Sequence, residues 1–268
     1  MTDTAENAPV AAPSGLLTVL EVRAVAERGA MTAALPLLRR LPPGDGHPVL
    51  VLPGFVAGDQ STEPLRRLLR SLNYRAFAWR LGRNLGPTPD IVAGMVRRFE
   101  EIHEKHGGPI SLVGWSLGGI YARELGRRFP SAVRQVITLG SPIRMVAGDR
   151  SAASRTWDSL RPSHDPEVID RRSIPEAERE PLAMPATSIY TRTDGIVHWS
   201  TCLADRGTRS ENIEVYGSHC GLGYNTSALL AVADRLAQTN GDWRHFKAPF
   251  WLRAAFPPPA NWEPGRRA

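Results

Sequence analysis

The sequence Val113-Gly114-Trp115-Ser116-Leu117-Gly118-Gly119 places a serine between two glycines, each two positions away. This G-x-S-x-G pattern is typical of a nucleophile elbow, a sharp turn from a strand into a helix that exposes the serine hydroxyl. Glycine tolerates the strained backbone of such a turn and lets neighbouring segments approach closely. The pattern predicts that Ser116 is a nucleophile and that the backbone N–H of Leu117 points to where an oxyanion would form.

The segments around this pattern alternate between short apolar runs and helical periodicity. Residues 109–113 form an apolar run, and residues 117–129 have helical spacing. Further strands are predicted at residues 48–52, 74–79, 133–139, 186–191 and 213–216, and helices at residues 61–72, 89–106 and 229–236. This alternation favours the α/β class, with a mainly parallel twisted sheet of about six strands and helices on both faces.

A base and an acid can be assigned from the positions of polar residues after the late strands. A serine hydroxyl needs a base within hydrogen-bond reach and a group that orients the base. Asp194 lies just beyond the strand at residues 186–191, and His219 follows the last strand. The sequence therefore predicts a catalytic triad of Ser116, His219 and Asp194. The turn after the first strand adds the N–H of Phe55 as a second candidate oxyanion donor.

Other residues compete for these two roles. His198 and His245 are the alternatives for the base, and Asp205 and Glu214 are the alternatives for the acid. His198 precedes the last strand and His245 lies in a proline-rich tail, so the position after the final strand favours His219.

The two cysteines, Cys202 and Cys220, exclude a disulfide framework and indicate a reduced compartment, although one bond between them stays open. Together with His198 and His219 they are the candidate ligands for a zinc ion. Their spacing matches no familiar pattern of zinc ligands, so we expect no metal site.

Four motifs together resemble those of the serine α/β-hydrolases of the esterase and lipase type. They are Pro53-Gly54-Phe55, Gly114–Gly119, Asp194-Gly195-Ile196-Val197 and Gly217-Ser218-His219. The resemblance spans about residues 48–238, without the first strands of larger members, and implies a compact α/β-hydrolase fold. It also implies cleavage of carboxylic esters through an acyl-serine, with no cofactor. Many relatives have histidine where this chain has Pro53, which weakens a lipase assignment more than the oxyanion hole.

Two other activities remain compatible with the same motifs. An acyltransferase would pass the acyl group from Ser116 to an alcohol or amine instead of water. A non-catalytic binding protein on a hydrolase scaffold is the third interpretation, and the complete set of triad residues disfavours it.

The domain organisation follows from shifts in composition. We predict a disordered tail at residues 1–14, a hydrolase domain at 15–240 and an aromatic, proline-rich tail at 241–268. The long polar stretch at 141–184 is predicted to be a small polar lid with one or two short helices.

The loop after residues 74–79 lies at the edge of the sheet where such folds bind ligands. Trp79 and Arg83 of this loop, and Trp115 of the elbow, are therefore candidate pocket residues. Packing of Trp79 and solvation of Arg83 is the alternative interpretation.

Charge and hydropathy limit the partners. The net charge of +6 comes from scattered arginines, so we expect no nucleic-acid partner. The resemblance to the α/β-hydrolases implies a small-molecule ester as the substrate. No signal peptide or membrane span is predicted, which leads us to expect a cytoplasmic protein. The helices at residues 15–40 are expected to dock an apolar face on the core, with contact to a membrane surface as the alternative. The oligomeric state stays open.

Overall fold

A six-stranded sheet forms the centre of the computed structural model, which describes residues 9–205 and 207–260. The strands are β1 (Pro48–Leu52), β2 (Arg75–Ala78), β3 (Ile110–Trp115), β4 (Val133–Leu139), β5 (Ala186–Tyr190) and β6 (Ser210–Glu214). Their spatial order is β2-β1-β3-β4-β5-β6, and every neighbouring pair is parallel. The predicted α/β class and the mainly parallel, twisted sheet are confirmed.

Eight α-helices connect or flank these strands in the described part of the chain. They are α1 (Gly15–Leu20), α2 (Ala24–Leu38), α3 (Asp59–Ser71), α4 (Pro89–His106), α5 (Leu117–Arg128), α6 (Ser154–Leu160), α7 (Pro166–Ser173) and α8 (Thr226–Leu236). Short 3-10 helices lie at Glu21–Arg23, Arg161–Ser163, Glu176–Glu178, Trp199–Cys202 and Phe250–Ala255.

The side chains of β1 show why helices cover both faces of the sheet. Val49 and Val51 belong to one buried cluster, which also includes residues of α2, α3 and α8. Leu50 and Leu52 belong to a second cluster, which includes residues of α4 and α5. Because successive side chains of a strand point to opposite faces, a strand covered on both faces has to be apolar throughout.

Helix α4 shows how local sequence sets the bounds of an element. Thr88 caps its start by accepting a hydrogen bond from the N–H of Ile91 at 3.3 Å, and Pro89 occupies the first turn. Gly107 ends the helix in the left-handed conformation with φ 66°. The buried residues between these caps recur at helical spacing and face the sheet: Ile91, Met95, Phe99 and Ile102.

The chain order places the functional loops at one edge of the sheet. From β1 the chain moves outward to β2 and then returns to β3 on the other side of β1. The order of the strands therefore reverses between β1 and β3, and in open α/β sheets the crevice at such a reversal binds ligands. The residues that follow β1 and β3 thus lie side by side.

The last strand begins three residues before its predicted start at residue 213. Its first half is polar, with Ser210, Glu211 and Asn212, so an apolar pattern could not reveal it. Each of these polar side chains forms a hydrogen bond. Asn212, for example, exchanges hydrogen bonds with the backbone of Ala204 at 2.8 Å.

The expected disorder of residues 1–14 does not extend to residues 9–14. The N–H of Val10 donates to Asp149 Oδ1 at 2.8 Å, and the N–H of Arg150 donates to the carbonyl of Val10 at 2.9 Å. Residues 1–8 of the predicted tail lie outside the described residues. Residues 9–14 are held by polar contacts, which apolar periodicity does not reveal.

The expected apolar docking face of residues 15–40 is only partly correct. Met31 and Leu38 of α2 are buried, but Leu16 and Val19 of α1 are 70% and 71% exposed. Helix α1 instead makes a polar contact, in which the Thr18 hydroxyl donates to the carbonyl of Gly195 at 2.8 Å. No helix in the described ranges is long and apolar enough to cross a membrane.

The segments at residues 141–184 and 241–260 pack on the domain. The first contains the two short helices α6 and α7. In the second, Phe246 contacts Phe256 with ring centroids 4.9 Å apart, and the N–H of Ala260 donates to the Tyr190 hydroxyl at 2.8 Å. The last eight residues of the predicted C-terminal tail lie outside the described residues.

Cys202 and Cys220 do not form a disulfide bond with each other. Cys202 is a buried free thiol and Cys220 is an exposed free thiol.

Replacing Phe99 with alanine should strongly destabilise the fold. Phe99 is fully buried in α4 and stacks on Phe129 with ring centroids 4.8 Å apart. We expect the free energy of unfolding to fall by about 3–5 kcal/mol because a large cavity is left. Urea unfolding followed by circular dichroism measures this loss. Glu100→Ala, at an exposed position of the same helix, should change the free energy by less than about 0.5 kcal/mol, and an equal loss in both variants would contradict the packing argument.

Candidate active site

Ser116 occupies the strained position that the elbow pattern predicts. It follows β3 directly and precedes α5, with φ 53° and ψ −122°. A positive φ is unusual for a residue other than glycine, so the surrounding backbone has to hold it there. The N–H of Ser116 donates to the carbonyl of Leu139 at 2.8 Å, and its own carbonyl accepts from the N–H of Gly119 at 3.0 Å. Ser116 is half-buried, so its hydroxyl can be reached.

The glycines of the pattern allow α5 to lie directly against the sheet. A Cβ on Gly114 would come within 2.3 Å of the backbone of Gly118 and Gly119. A Cβ on Gly118 would lie 2.3 Å from the carbonyl oxygen of Leu52 at the end of β1. Real Cβ atoms do not approach backbone atoms so closely, so both positions require glycine.

The candidate acid and base form a short hydrogen bond. Asp194 lies in the loop at residues 191–197 that follows β5, which we call the acid loop. His219 lies in the loop at residues 217–221, after β6, which we call the base loop. Asp194 Oδ2 lies 2.6 Å from Nδ1 of His219, and both side chains are buried. Asp194 Oδ1 accepts from the N–H groups of Ile196 and Val197 at 2.9 and 2.8 Å, which fixes the carboxylate.

The charges around His219 favour its protonated form. Burial by itself lowers the pKa of His219, because it disfavours a charged ring. The attraction and hydrogen bond of Asp194, with a further contribution from Glu21, outweigh this effect and raise the pKa above its ordinary value of 6.5. The site therefore stabilises the imidazolium that forms when the ring accepts a proton.

Both candidate oxyanion donors lie beside Ser116. Leu117 is the first residue of α5, and the first N–H groups of a helix have no acceptor within it. Phe55 follows Gly54 in the turn after β1, and a Cβ on Gly54 would lie 3.2 Å from Cβ of Ser116. The ring of Phe55 contacts Trp157 of α6 with centroids 5.4 Å apart.

Ser116 and His219 line a cavity of about 870 Å³. The size is typical of sites for small molecules. Most of its wall is apolar, and the segment at residues 141–184 supplies a large part of that wall. The apolar lining includes Phe55, Val56, Leu117, Ile120, Met145, Val146, Trp157, Ile169, Ile196 and Val197.

Two of the three expected pocket residues lie elsewhere. Trp115 lines the cavity, and its indole N–H donates to the carbonyl of His219 at 3.0 Å. Trp79 is fully buried in the core, where its indole N–H donates to the carbonyl of Gly82 at 3.0 Å. Arg83 extends along the surface and donates from Nε to the carbonyl of Val56 at 2.7 Å. Neither Trp79 nor Arg83 lines this cavity: Trp79 is held by the carbonyl of Gly82 in the following loop, and Arg83 by the carbonyl of Val56 in the turn after β1.

The competing residues have other partners. His198 pairs with the Ser200 hydroxyl at 2.8 Å, and His245 lies 3.7 Å from Glu211. Asp205 forms an ion pair with Arg144, and Glu214 accepts a hydrogen bond from Tyr190 at 2.9 Å. Within the described residues, no group of three or more histidine, cysteine or acidic side chains could hold a metal ion.

A second Ser-His-Asp arrangement exists at the opposite edge of the sheet. Nε2 of His47 lies 2.8 Å from the hydroxyl of Ser111, and its Nδ1 forms a short contact with Asp45. His47 comes just before β1, and Ser111 is the second residue of β3. Ser111 is fully buried and does not line the cavity, so this arrangement connects structural elements.

Sequence reasoning missed the residues that connect the N-terminal segment, residues 15–40, to the acid loop and the base loop. Glu21 and Glu27 accept hydrogen bonds from the backbone of the acid or base loop, and Arg23 donates to backbone carbonyls in both loops. In the sequence they only interrupt an apolar run. The one available signal is that two carboxylates lie six residues apart in an otherwise apolar segment, and this does not identify their partners.

Comparison with known proteins identifies the family. A sequence model of the alpha/beta hydrolase family matches residues 49–266. This is most of the chain, and the protein belongs to that family. The search of curated proteins found no match to the sequence.

Solved structures of three lipases share the fold. Lipase B of Aspergillus fumigatus has 16% identity and a TM-score of 0.57, with 73% of this chain aligned to 53% of that chain. The lipase BlEst2 of Bacillus licheniformis has 14% identity and a TM-score of 0.50, with 74% and 95% covered. The monoacylglycerol lipase of Paleococcus ferrophilus has 14% identity and a TM-score of 0.50, with 72% and 96% covered. The chain thus spans about half of the Aspergillus lipase.

Replacing Gly114 with alanine should disrupt the elbow. The new Cβ would overlap the backbone of the first turn of α5, which cannot move without displacing the helix. We expect the free energy of unfolding to fall by about 3 kcal/mol or more. Gly108→Ala is the matched control, because a Cβ at Gly108 meets no atom within 4 Å. Thermal unfolding of both variants measures the difference, and equal stability would contradict this account of the elbow.

Proposed function

We propose that the protein is a serine hydrolase that cleaves carboxylic esters through an acyl-serine intermediate. Ser116 is the nucleophile, His219 the general base, and Asp194 the group that orients the base. The observation that carries this proposal is the 2.6 Å contact between Asp194 and His219 beside a cavity that Ser116 also lines. Membership of the alpha/beta hydrolase family supports hydrolysis, and the fold shared with three lipases makes an ester the first substrate to test.

In the first half of the proposed reaction, the ester acylates Ser116. Nε2 of His219 accepts the hydroxyl proton while Oγ of Ser116 bonds to the carbonyl carbon. The N–H groups of Leu117 and Phe55 stabilise the oxyanion of the tetrahedral intermediate. The bond from the carbonyl carbon to the alkoxy oxygen then breaks, and His219 donates its proton to the leaving alcohol.

In the second half, water releases the acid. His219 accepts a proton from water as the water oxygen attacks the acyl carbon, and the bond to Oγ of Ser116 breaks with return of the proton to the serine. Asp194 remains ionised and stabilises the imidazolium in both halves. No metal or cofactor takes part in these steps.

The cavity supports an ester with an apolar acyl group. Its volume of about 870 Å³ accommodates a small or medium substrate, and its apolar wall favours hydrocarbon over charged groups. We further propose that residues 141–184 act as a lid. Trp157 of this segment contacts Phe55, so the segment lies against a proposed oxyanion donor.

Replacing Ser116 with alanine should abolish hydrolysis of a short nitrophenyl ester. Without Oγ no acyl-enzyme forms, and kcat should fall by at least about 10⁴-fold. Initial rates measured by nitrophenol release test this, and labelling of Ser116 by a fluorophosphonate, located by mass spectrometry, identifies the nucleophile directly.

The matched control is Ser111→Ala. Ser111 also contacts a histidine that pairs with an aspartate, but it is fully buried. Its loss should leave kcat within about 2-fold. Retained turnover in Ser116→Ala would overturn the assignment of the nucleophile.

The rate should rise with pH through a midpoint above 6.5. His219 acts as a base only when neutral, and its pKa lies above the ordinary value of 6.5 because Asp194 stabilises the protonated ring despite burial. Activity is therefore lost as pH falls through this raised pKa. The profile of kcat/KM against pH for the nitrophenyl ester measures the midpoint, and a midpoint clearly below 6.5 would contradict the electrostatics of the site.

A further inference from the structure

We propose that Glu21 is a positioning residue for the proposed triad, because its carboxylate joins the acid loop to the base loop. The inference rests on the proposed function of Asp194 and His219. Glu21 lies in the 3-10 helix Glu21–Arg23, does not line the cavity and touches no reacting atom.

The carboxylate of Glu21 accepts three backbone hydrogen bonds from the two loops. Oε1 accepts from the N–H of Gly195 at 2.8 Å and from the N–H of His219 at 3.0 Å. Oε2 accepts from the N–H of Cys220 at 2.7 Å. Glu21 is only 8% exposed, and hydrogen bonds to an ionised acceptor are about twice as strong as neutral ones. One side chain thus holds the neighbour of Asp194 and the backbone of His219 together.

Arg23 and Glu27, which are close to Glu21 in the sequence, also form hydrogen bonds with these loops. Nη2 of Arg23 donates to the carbonyl of Thr193 in the acid loop at 2.5 Å and to the carbonyl of Gly217 in the base loop at 2.8 Å. Oε1 of Glu27 accepts from the N–H and the hydroxyl of Ser218 at 2.8 and 2.7 Å. The N-terminal segment therefore binds the two loops at several points, and Glu21 is the one of these three residues that binds the backbone of His219 itself.

The loops need such a connection because they arrive from different strands. The acid loop follows β5 and the base loop follows β6. The hydrogen bond between Asp194 and His219 forms only if the distance between the two loop backbones is maintained. A displacement of about 1 Å in a catalytic group can lower the rate about 100-fold. Glu21 is the residue whose single carboxylate oxygen accepts from both loops.

The charge of Glu21 acts on His219 as well. The charged and titratable groups around His219 include the carboxylates of Asp194 and Glu21 and the thiol of Cys220, while Arg23 and Glu27 bind the preceding residues of the base loop. His198 and Cys202 also interact with the charge of Asp194. Asp194 makes the larger contribution to the raised pKa of His219, and Glu21 adds to it. Removing the charge of Glu21 should therefore make the imidazole easier to deprotonate, whereas the loss of a structural contact alone would not.

The experiment compares Glu21→Gln with Glu211→Gln. Glu211 is also a buried carboxylate, which accepts from Arg235 at 2.8 Å and from the N–H of Phe246 at 2.7 Å, but it lies in β6 away from the triad. For Glu21→Gln we expect kcat to fall about 10- to 100-fold with KM within about 2-fold. We also expect the acid limb of kcat/KM to move to lower pH, because one of the charges that raise the pKa of His219 is lost. Glu211→Gln should leave this limb in place, whatever stability it loses.

A titration of the His219 ring by NMR separates this inference from the proposed function. The measurement needs no substrate, and in Glu21→Gln the pKa of His219 should be lower than in the unmodified protein. Glu21→Asp, which keeps the charge but shortens the side chain, should lower kcat and largely retain the pH profile. The inference is overturned if Glu21→Gln leaves both kcat and the titration of His219 unchanged, or if Glu211→Gln shifts the titration equally. The Ser116→Ala result decides the proposed chemistry independently.

Discussion

The close approach of α5 to β1 and β3 is the constraint on which the arrangement of the candidate site depends. Two glycines, Gly114 and Gly118, lie at this contact, and a Cβ at either position would occupy the space of backbone atoms. Because the helix can lie against the sheet, Ser116 is held at a positive φ, and the N–H of Leu117 and the turn at Gly54 lie beside it. A larger separation would move the nucleophile away from the turn after β1. The geometry of the candidate oxyanion hole is thus a consequence of backbone packing.

The parts of the structure that were predictable are those that depend on local pattern. Strand β1 is a continuous apolar run, most of the other strands contain shorter apolar stretches, and the elbow glycines have a fixed spacing, so the α/β fold and the position of Ser116 followed from the sequence. The Asp194–His219 contact could be anticipated because both residues follow strands at one edge of a parallel sheet. The side-chain directions of Trp79 and Arg83 could not be predicted, since each is set by a hydrogen bond to one particular carbonyl.

The role of the N-terminal segment was out of reach for a different reason. Its partners in the acid and base loops lie at least 170 positions away along the chain, and no periodicity relates Glu21 to Gly195 or Glu27 to Ser218. The apolar residues of α1 were expected to face the core, but Leu16 and Val19 face outward while the charged side chains of the segment face inward. Polar contacts with the two loops determine this orientation, against the usual preference for burying apolar surface.

Asp45, His47 and Ser111 have the residue types of a catalytic triad, but their surroundings differ from those of Ser116. Nε2 of His47 lies 2.8 Å from the Ser111 hydroxyl, but Ser111 is fully buried and does not line the cavity, and burial lowers the pKa of His47. Ser116 differs in its surroundings: a strained turn, the start of a helix and a space for a ligand. The chemistry proposed for Ser116 therefore depends on the elements around the three side chains as much as on the side chains themselves.

The contacts of Glu21 also bear on the order of events in folding. They join residues 198 and 199 positions apart, so their formation closes a loop that includes all six strands of the sheet. During ribosomal synthesis Glu21 therefore emerges long before its partners in the base loop. Contacts of such long sequence separation form slowly, because the entropy of loop closure is lost before any of them is made. The completed candidate site is therefore a late product of folding, although the residue proposed to align it is synthesised well before the base loop.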